Sequence, residues 1–545
     1  MFINQEFSEI LNKMKRRKIK HLKEVEKEVK MNLEKFKESI SGFRQVTAVL
    51  ILTYFLAVFS ATDVLAERFV VNNVSEFQTV LTTAAINSED DTINVTAGTY
   101  IITTTLTYDT GESFSLLIVG AGAGSTILDG GNSTQILNLH TTLDGADLEI
   151  RALTFQNGNN SDTVAVGGGA SFVADEGNIL ISDCSFIGNM SSQNAGGLFT
   201  ATGNGSINMT HCTFEANNAG EDAGGGYIYI DGNGEAIING NTFRDNITGT
   251  APSPVNPDGG GMMLYGMAAG ISFTIEDNIF INNQAGLGGG GCYLRNPFEG
   301  TVSFKNNQFS GNSTLIGDGG GLHIDLYSAI LNYSGNTHIN NTSAVNGGGA
   351  CIFNETGTLN LTGNTFTGNI ATSNGGGANV FTESGRLAFN RNVLVSNTAG
   401  NIGGGLSAAI GSGTLDVSNN TFYGDSASEG SGIYFYFGES TSQANVFNNI
   451  LWYENHPAIA YSGAQAVTAT YSDIESGTGE SWFGTGCIDQ DPLFADPEGD
   501  DFHLTWVNFP IEDETKSPCI DAGDPASPPD PDGTQADMGV FYFTD

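Results

Sequence analysis

His323 and Asp325 are two residues apart behind the glycine run 319–321, so on a strand both side chains leave the same face. An imidazole beside a carboxylate is a proton-transfer pair, and Arg295, expected about one repeat earlier, could neutralise an anionic substrate. A polysaccharide lyase needs such a base next to a cation, whereas a glycoside hydrolase needs two carboxylates flanking the scissile bond. Elsewhere the charged residues do not gather at one phase of the repeat described below. Arg151 and Lys305 share a phase but lie five repeats apart, and the equivalents of Arg244 in adjacent repeats are Glu215 and Ile281. His338 stands where other repeats have phenylalanine, which marks it as a buried, hydrogen-bonded ring. The catalytic candidates are therefore His323, Asp325 and Arg295 alone, and the balance leans away from an enzyme.

Metal and redox chemistry have one candidate each near the C-terminus. Asp530, Asp532 and Asp537 surround a turn at Gly533 and could hold calcium, although the spacing is not that of an EF-hand. The equal alternative is that these carboxylates cap backbone amides. The acidic run 496–501 reads as a solvated turn. Cys184 and Cys212, 28 residues apart, should be stacked free thiols, and Cys292 and Cys351 small buried apolar groups. Cys487 and Cys519 could form a disulfide in an exported chain, at even odds with remaining free.

The elements that must position these residues follow from a repeat. Residues at one phase run Phe155, Phe186, Phe214, Phe243, Phe280, Phe309, His338, Phe366, Leu394, Phe422 and Leu451. Apolar pairs such as Ile179/Ile181 and Leu359/Leu361 come seven and five residues earlier. Asparagine stands two residues before the core position in eight successive repeats (Asn241 to Asn449) and three after it in eight (Asn189 to Asn397). Glycine runs such as 347–349 follow. A fixed period near 28 residues means a solenoid. Three short strands and three bends per coil predict an all-β, right-handed parallel β-helix of about twelve coils, each roughly 4.8 Å from the next. Stacked asparagines would form hydrogen-bonded ladders and take the unusual bend conformations.

Before the repeats, Ser75 and Gln78 match a capping box opening a short helix to about Ile86. With strands over 92–95 and 100–106 it would close the open end of the solenoid. Residues 67–144 thus form a cap and first coil, 145–455 the repeats, and 456–545 a distinct terminal segment. Residues 1–66 read as a charged region followed by the apolar run 46–61 and a cleavage site after Ala66, with Met31 an alternative start and an uncleaved anchor helix the other reading. The chain has 20 Lys and Arg against 60 Asp and Glu, and twelve of the basic residues lie in residues 1–46. So acidic a surface repels phosphate backbones, and nucleic acid is not an expected partner.

FIGN (186–189), FEAN (214–217), FRDN (243–246), FINN (280–283), FSGN (309–312) and FTGN (366–369) alternate with segments such as GGGACI (347–352). This phased series resembles the FxxN and GGxI repeats of polymorphic outer membrane proteins over roughly residues 145–455. Residues 448–455, 471–477, 486–504 and 517–543 resemble the end of secreted bacterial proteins with a choice-of-anchor Q domain. The resemblances imply an exported β-helix, free or at the cell surface or outer membrane, several of whose relatives are adhesins. The expected role is an extracellular scaffold that binds glycan or another cell-surface ligand. A calcium-dependent polysaccharide lyase or glycoside hydrolase is the alternative.

Overall fold

The computed structural model describes residues 67–161, 166–249, 257–452, 457–463 and 466–543. The leader features read from residues 1–66, and most of residues 251–258, whose composition marks a loop inserted in the long repeat between Phe243 and Phe280, lie outside them. A parallel β-helix of about fourteen coils fills the described chain, two more than expected. The eleven core positions form one continuous column, each paired with its equivalent on the next coil. Tyr100 and Leu128 extend that column upstream and Ile474 extends it downstream, which accounts for the extra coils. Consequently the cap segment and the terminal segment each contribute strands to the solenoid.

A coil contributes up to four strands where three were expected. Two of them join a 23-stranded sheet, the strand around the core residue joins a 14-stranded sheet, and a two-residue strand joins a 9-stranded one. In five successive coils, from Cys292–Lys305 to Leu406–Ser418, the first two strands fuse into one of 13 or 14 residues. The apolar pairs that precede the core residue stack inside this sheet, Ile179 on Ile207 and Ile181 on Met209.

Inside, Phe155, Phe186, Phe214, Phe243, Phe280 and Phe309 are stacked at centroid distances of 4.7–4.9 Å. His338 continues this stack between Phe309 and Phe366, at 4.7 and 4.8 Å. Burial lowers its pKa to about 3, so it is a neutral ring, and it hydrogen-bonds the hydroxyl of Tyr333. Tyr333 itself replaces the Phe304 and Leu361 of the neighbouring coils, so the two polar substitutions satisfy each other in an otherwise apolar core.

The asparagines form two ladders. In the second, Asn283 Nδ2 donates to Asn312 Oδ1 at 3.0 Å and to the carbonyl of Phe243 at 2.9 Å, while its backbone N–H also donates to Asn312 Oδ1. This pattern repeats down to Asn397, whose partner is Asp425, a buried carboxylate at the position where the other coils carry asparagine. The first ladder runs from Asn241 to Asn449, which donates from its backbone to Ser472 Oγ. The left-handed bends do not fall on these asparagines, as expected, but on the residue before each: Asp277, Asn306 and Arg391 in the first ladder, Asn282, Gly311 and Ser396 in the second. The asparagine is thereby left with an ordinary backbone and an inward side chain.

The N-terminal helix spans Val74–Ala84, and its cap lies two residues before the expected one at Ser75. Asn73 is the N-cap, accepting from Glu76 N–H, and Glu76 reaches back to Asn72 N–H at 2.9 Å. The expected strand over 100–106 is divided into Gly98–Ile101 and Leu106–Thr110. At the other end the chain bridges onto the last coil through Ala469–Phe483 and Asp473–Ile488, then returns along the side, where Asp524 N–H meets Asn448 Oδ1 at 2.6 Å.

Two outcomes test this account. Asn312→Ala breaks one rung inside the solenoid and leaves buried partners unmatched, so it should lower unfolding stability by about 2–4 kcal/mol in denaturant melts. His338→Phe should cost about 1–3 kcal/mol by leaving the Tyr333 hydroxyl without its acceptor, and adding Tyr333→Phe should recover most of that loss.

Candidate functional site

The glycine runs set up the outer surface beside them. The first glycine of a run takes a left-handed conformation, as at Gly259, Gly289 and Gly319. At the second, Gly290, a Cβ would stand 2.3 Å from the carbonyl oxygen of Gly320 on the next coil, so only glycine lets the coils close up. The strand that follows alternates inward aliphatic residues with outward ones. Its first outward column reads Phe199, Tyr227, Met263, Tyr293, His323, Cys351. Its second reads Ala201, Tyr229, Tyr265, Arg295, Asp325, Phe353, Phe381. Aromatic side chains thus cover the outside of this face along several coils.

The columns differ in exposure. Tyr227 and Tyr293 are 7 % exposed and pack with Ala195, Ala223 and Met263 against the turns that lead into the glycine runs. Tyr229 and Tyr265 are half-buried and in ring contact at 5.8 Å. The Arg295 guanidinium lies 5.8 Å from the Tyr265 ring, and its Nε is 3.6 Å from Asp325 Oδ2 on the next coil. The turns make a wall and the strand face makes a floor, together a groove running across the coils.

The wall carries its own ladder of short polar side chains. Asn194 Oδ1 accepts from Asp222 N–H at 2.9 Å, Asp222 Oδ1 from Asp258 N–H at 2.9 Å, and Asp258 Oδ1 from Gly288 N–H at 2.8 Å. At Gly288 the ladder has no side chain, and it resumes with Asp318 Oδ1 accepting from Asn346 N–H at 2.8 Å. A Cβ at Gly288 would lie 2.9 Å from both Asp258 Oδ1 and His323 Nδ1 and 3.4 Å from Tyr293. The missing rung is therefore a notch too tight for even a methyl group, with Asp258 on one side and a buried histidine nitrogen that has no hydrogen-bond partner on the other.

Burial governs the electrostatics of the notch. It pushes the Asp222 carboxyl up to about 6, and Asp258, with Asp222 beside it, up to about 8. Asp325 is also raised by burial, but the Arg295 guanidinium opposes the shift. Burial lowers His323 to about 4. Burial and the neighbouring Asp222 thus shift Asp258 toward its protonated form, burial favours the neutral imidazole of His323, and Arg295 pairs with Asp325.

The structure brings Arg295, Asp325 and His323 into this one groove on adjacent coils. His323 packs edge-on against Tyr293 at 4.9 Å, and burial lowers its pKa, so its imidazole is neutral and a weak proton acceptor. Sequence reasoning missed Asp222, Asp258 and the tyrosines. The available signal was GYIYI (226–230) and MMLYG (262–266), in which aromatic residues take the outward positions after a glycine run.

The C-terminal candidates resolve differently. Asp530 Oδ2 accepts from Asp537 N–H, Asp532 Oδ1 from Thr534 N–H, and Asp537 from Asp521 and Phe543 N–H, at 2.6–2.9 Å. These carboxylates are amide caps, and among the described residues no group of three His, Cys, Asp or Glu is disposed to hold a metal ion. For Asp530, Asp532 and Asp537 this geometry supports the amide-capping alternative. Of the two alternatives for Cys487 and Cys519 the structure has the free thiols, with Cys519 Sγ donating to Asp473 Oδ2 at 3.1 Å and Cys487 Sγ to the Ala469 carbonyl at 3.2 Å. A cleft of about 530 Å³ lies beside this segment, lined by Arg391, Asp524, Asp530 and Tyr542. Prolines 528, 529 and 531 also line it, and it gathers no acid–base pair comparable to the groove.

A family model described as "Right handed beta helix region" matches residues 139–334, which include the groove from Phe199 to Asp325. No curated protein matches the chain. One similar solved structure is described as a mannuronic acid specific polysaccharide family 6 lyase enzyme from human gut microbiota. It aligns at 10 % identity over 73 % of this chain and 91 % of that one, with a TM-score of 0.35, and at that score it carries no argument about activity.

The folded protein holds a proton on Asp258 that the unfolded chain, with its carboxyl near 3.8, gives up. The associated stability is complete below about pH 4 and is lost as pH rises through about 8. Asp258→Asn should therefore match wild type in denaturant melts at pH 4 and exceed it at pH 9 by about 2 kcal/mol, discounted for the partial exposure of the group.

Proposed function

We propose that this protein is an exported, extracellular or surface-displayed β-helix whose aromatic groove binds a polysaccharide. The observation that carries this reading is the pair of outward columns. The rings of the first column are buried under the turns, but in the second Tyr229 and Tyr265 are partly exposed on successive coils, as are Phe353 and Phe381 beyond the Arg295–Asp325 pair. Aromatic faces supply rigid apolar contact, and their spacing along the coils suits an extended polymer of repeating rings better than a compact ligand. Arg295 and Asp325 provide the few directional contacts that orient such a ligand. Export is supported by the apolar run and cleavage motif before residue 67 and by the likeness to polymorphic outer membrane protein repeats and to choice-of-anchor Q ends.

The net charge of −40 weighs against a strongly anionic glycan, whose own charges would meet an acidic surface. A second reading, cleavage of the bound polymer, is favoured by the carboxyl of Asp258 in the groove wall.

Binding is tested with the full chain by affinity electrophoresis in gels containing mixed-linkage glucan, galactomannan, xylan, alginate or polygalacturonate, with calcium or with chelator. Retardation by at least one neutral polysaccharide is expected. Tyr229→Ala combined with Tyr265→Ala should weaken it about tenfold, or about 1.4 kcal/mol. If no polysaccharide retards the chain, or if the double variant is retarded as strongly as wild type, the groove is not the binding face.

A further inference from the structure

On three successive coils the left-handed bend before the first-ladder asparagine is made by Arg391, Asn419 and Asn448. Asn448 holds the terminal segment: its Oδ1 accepts from Asp524 N–H at 2.6 Å, and its Nδ2 donates to Ser527 Oγ at 3.2 Å. The other two side chains are not engaged in this way. The backbone N–H groups of Arg391 and Asn419 donate to the Ser418 and Phe447 carbonyls. Among the described residues, however, neither the guanidinium nor the Asn419 amide has a hydrogen-bond or ion-pair partner. Arg151, Arg244, Arg295 and Arg386, by contrast, each meet a carboxylate within 3.6 Å.

Arg391 and Asn419 both line the cleft of about 530 Å³ between the coils and the segment that follows Asp524. That volume falls among small-molecule sites, which run from about 300 to 1,000 Å³. Phe447, Pro528, Pro529, Pro531 and Tyr542 give the cleft stiff, mainly apolar walls. Its two carboxylates already serve the backbone: Asp524 Oδ1 accepts from Ala526 N–H at 2.9 Å and Asp530 Oδ2 from Asp537 N–H at 2.7 Å. The groups left for a ligand are thus one guanidinium and one amide, on adjacent coils about 4.8 Å apart.

These groups select the ligand. A guanidinium fork matches the two oxygens of a carboxylate or phosphate. The charge of Asp530 is close enough for Arg391 to act on it, so a doubly charged phosphate meets repulsion that a single carboxylate largely escapes. Proline and aromatic walls suit one face of a ring, and the amide suits a hydroxyl on that ring. We propose that this cleft binds a small hydroxylated ring carboxylate, with the acid group on Arg391, a ring hydroxyl on Asn419 and the ring against the prolines. A single uronic acid and a hydroxylated aromatic acid share this chemistry. The acidic surface that disfavours a polyanion is broken here by an unpaired cation. The site shares no residue with the aromatic groove and does not depend on what the groove binds.

The test is calorimetric titration of the full chain with galacturonate and 3-hydroxybenzoate. Their uncharged counterparts galactose and 3-hydroxybenzamide, and inorganic phosphate, are titrated beside them. At least one acid is expected to bind at least tenfold tighter than its counterpart and tighter than phosphate. Arg391→Asn should weaken that binding at least tenfold, and Asn419→Gly about threefold. Both variants keep the bend, because Asn306 and Asn448 or Gly335 and Gly363 already make it on other coils.

Binding of galacturonate alone would assign the cleft to sugar acids, and of 3-hydroxybenzoate alone to aromatic acids. No binding of either acid would overturn the proposal. So would equal binding of an acid and its uncharged counterpart, or undiminished binding by Arg391→Asn. Tighter binding of phosphate than of both acids would overturn the carboxylate assignment.

Discussion

The amide of each ladder asparagine does three things at once. Its oxygen accepts both the side-chain and the backbone N–H of the equivalent residue on the preceding coil. Its nitrogen donates to a carbonyl further back, and to the oxygen of the next asparagine. In a core too narrow for water, this is how the backbone groups freed at each bend find partners. Every other feature depends on it. The bends must be left-handed at the residue just before, the phenylalanines must stack in register, and the glycine runs must let the next coil sit close. A slip of one residue would turn the amides outward and the rings with them.

Because the interior is settled by so few positions, the outward positions are free to vary. Most hold serine, threonine, asparagine or aspartate, and these account for solubility. Between Phe199 and Phe381 several of them hold rings instead, near the rung of the wall ladder at Gly288. Fold and site therefore use different residues of the same strands. Inward Ile324 and Leu326 belong to the solenoid; outward His323 and Asp325 belong to the groove.

That division explains what could be read from the sequence. The core column from Phe155 to Leu451 was legible to the residue, because an inward position repeated many times is a strong periodic signal. The partnership of Arg295 with Asp325 was legible for the same reason. The coil count fell short because Tyr100, Leu128 and Ile474 lack the flanking asparagines that mark the other coils. Asp258 was hidden by the neighbouring insertion, which breaks the period just before it. The helix start was placed two residues late because Asn73–Glu76 and Ser75–Gln78 offer overlapping capping patterns, and the side-chain bonds of Glu76 decided between them. The free Cys487 and Cys519 illustrate a further limit, since each sulfur is committed to a different oxygen and spacing along the chain carries no trace of that.

One consequence of the coil-to-coil equivalence concerns how such a protein can change. Apart from the Tyr333–His338 pair and Asp425, the coils from Gln308 to Phe447 repeat the same ladder donors and acceptors from one coil to the next. A tandem duplication or loss of one 28-residue unit there would meet matching surfaces on both sides, and the capped ends would be untouched. The length of the groove is then an inheritable quantity that moves in whole steps. A lineage carrying this gene could fit its product to longer or shorter stretches of polymer by recombination between repeats, without first solving a new packing problem.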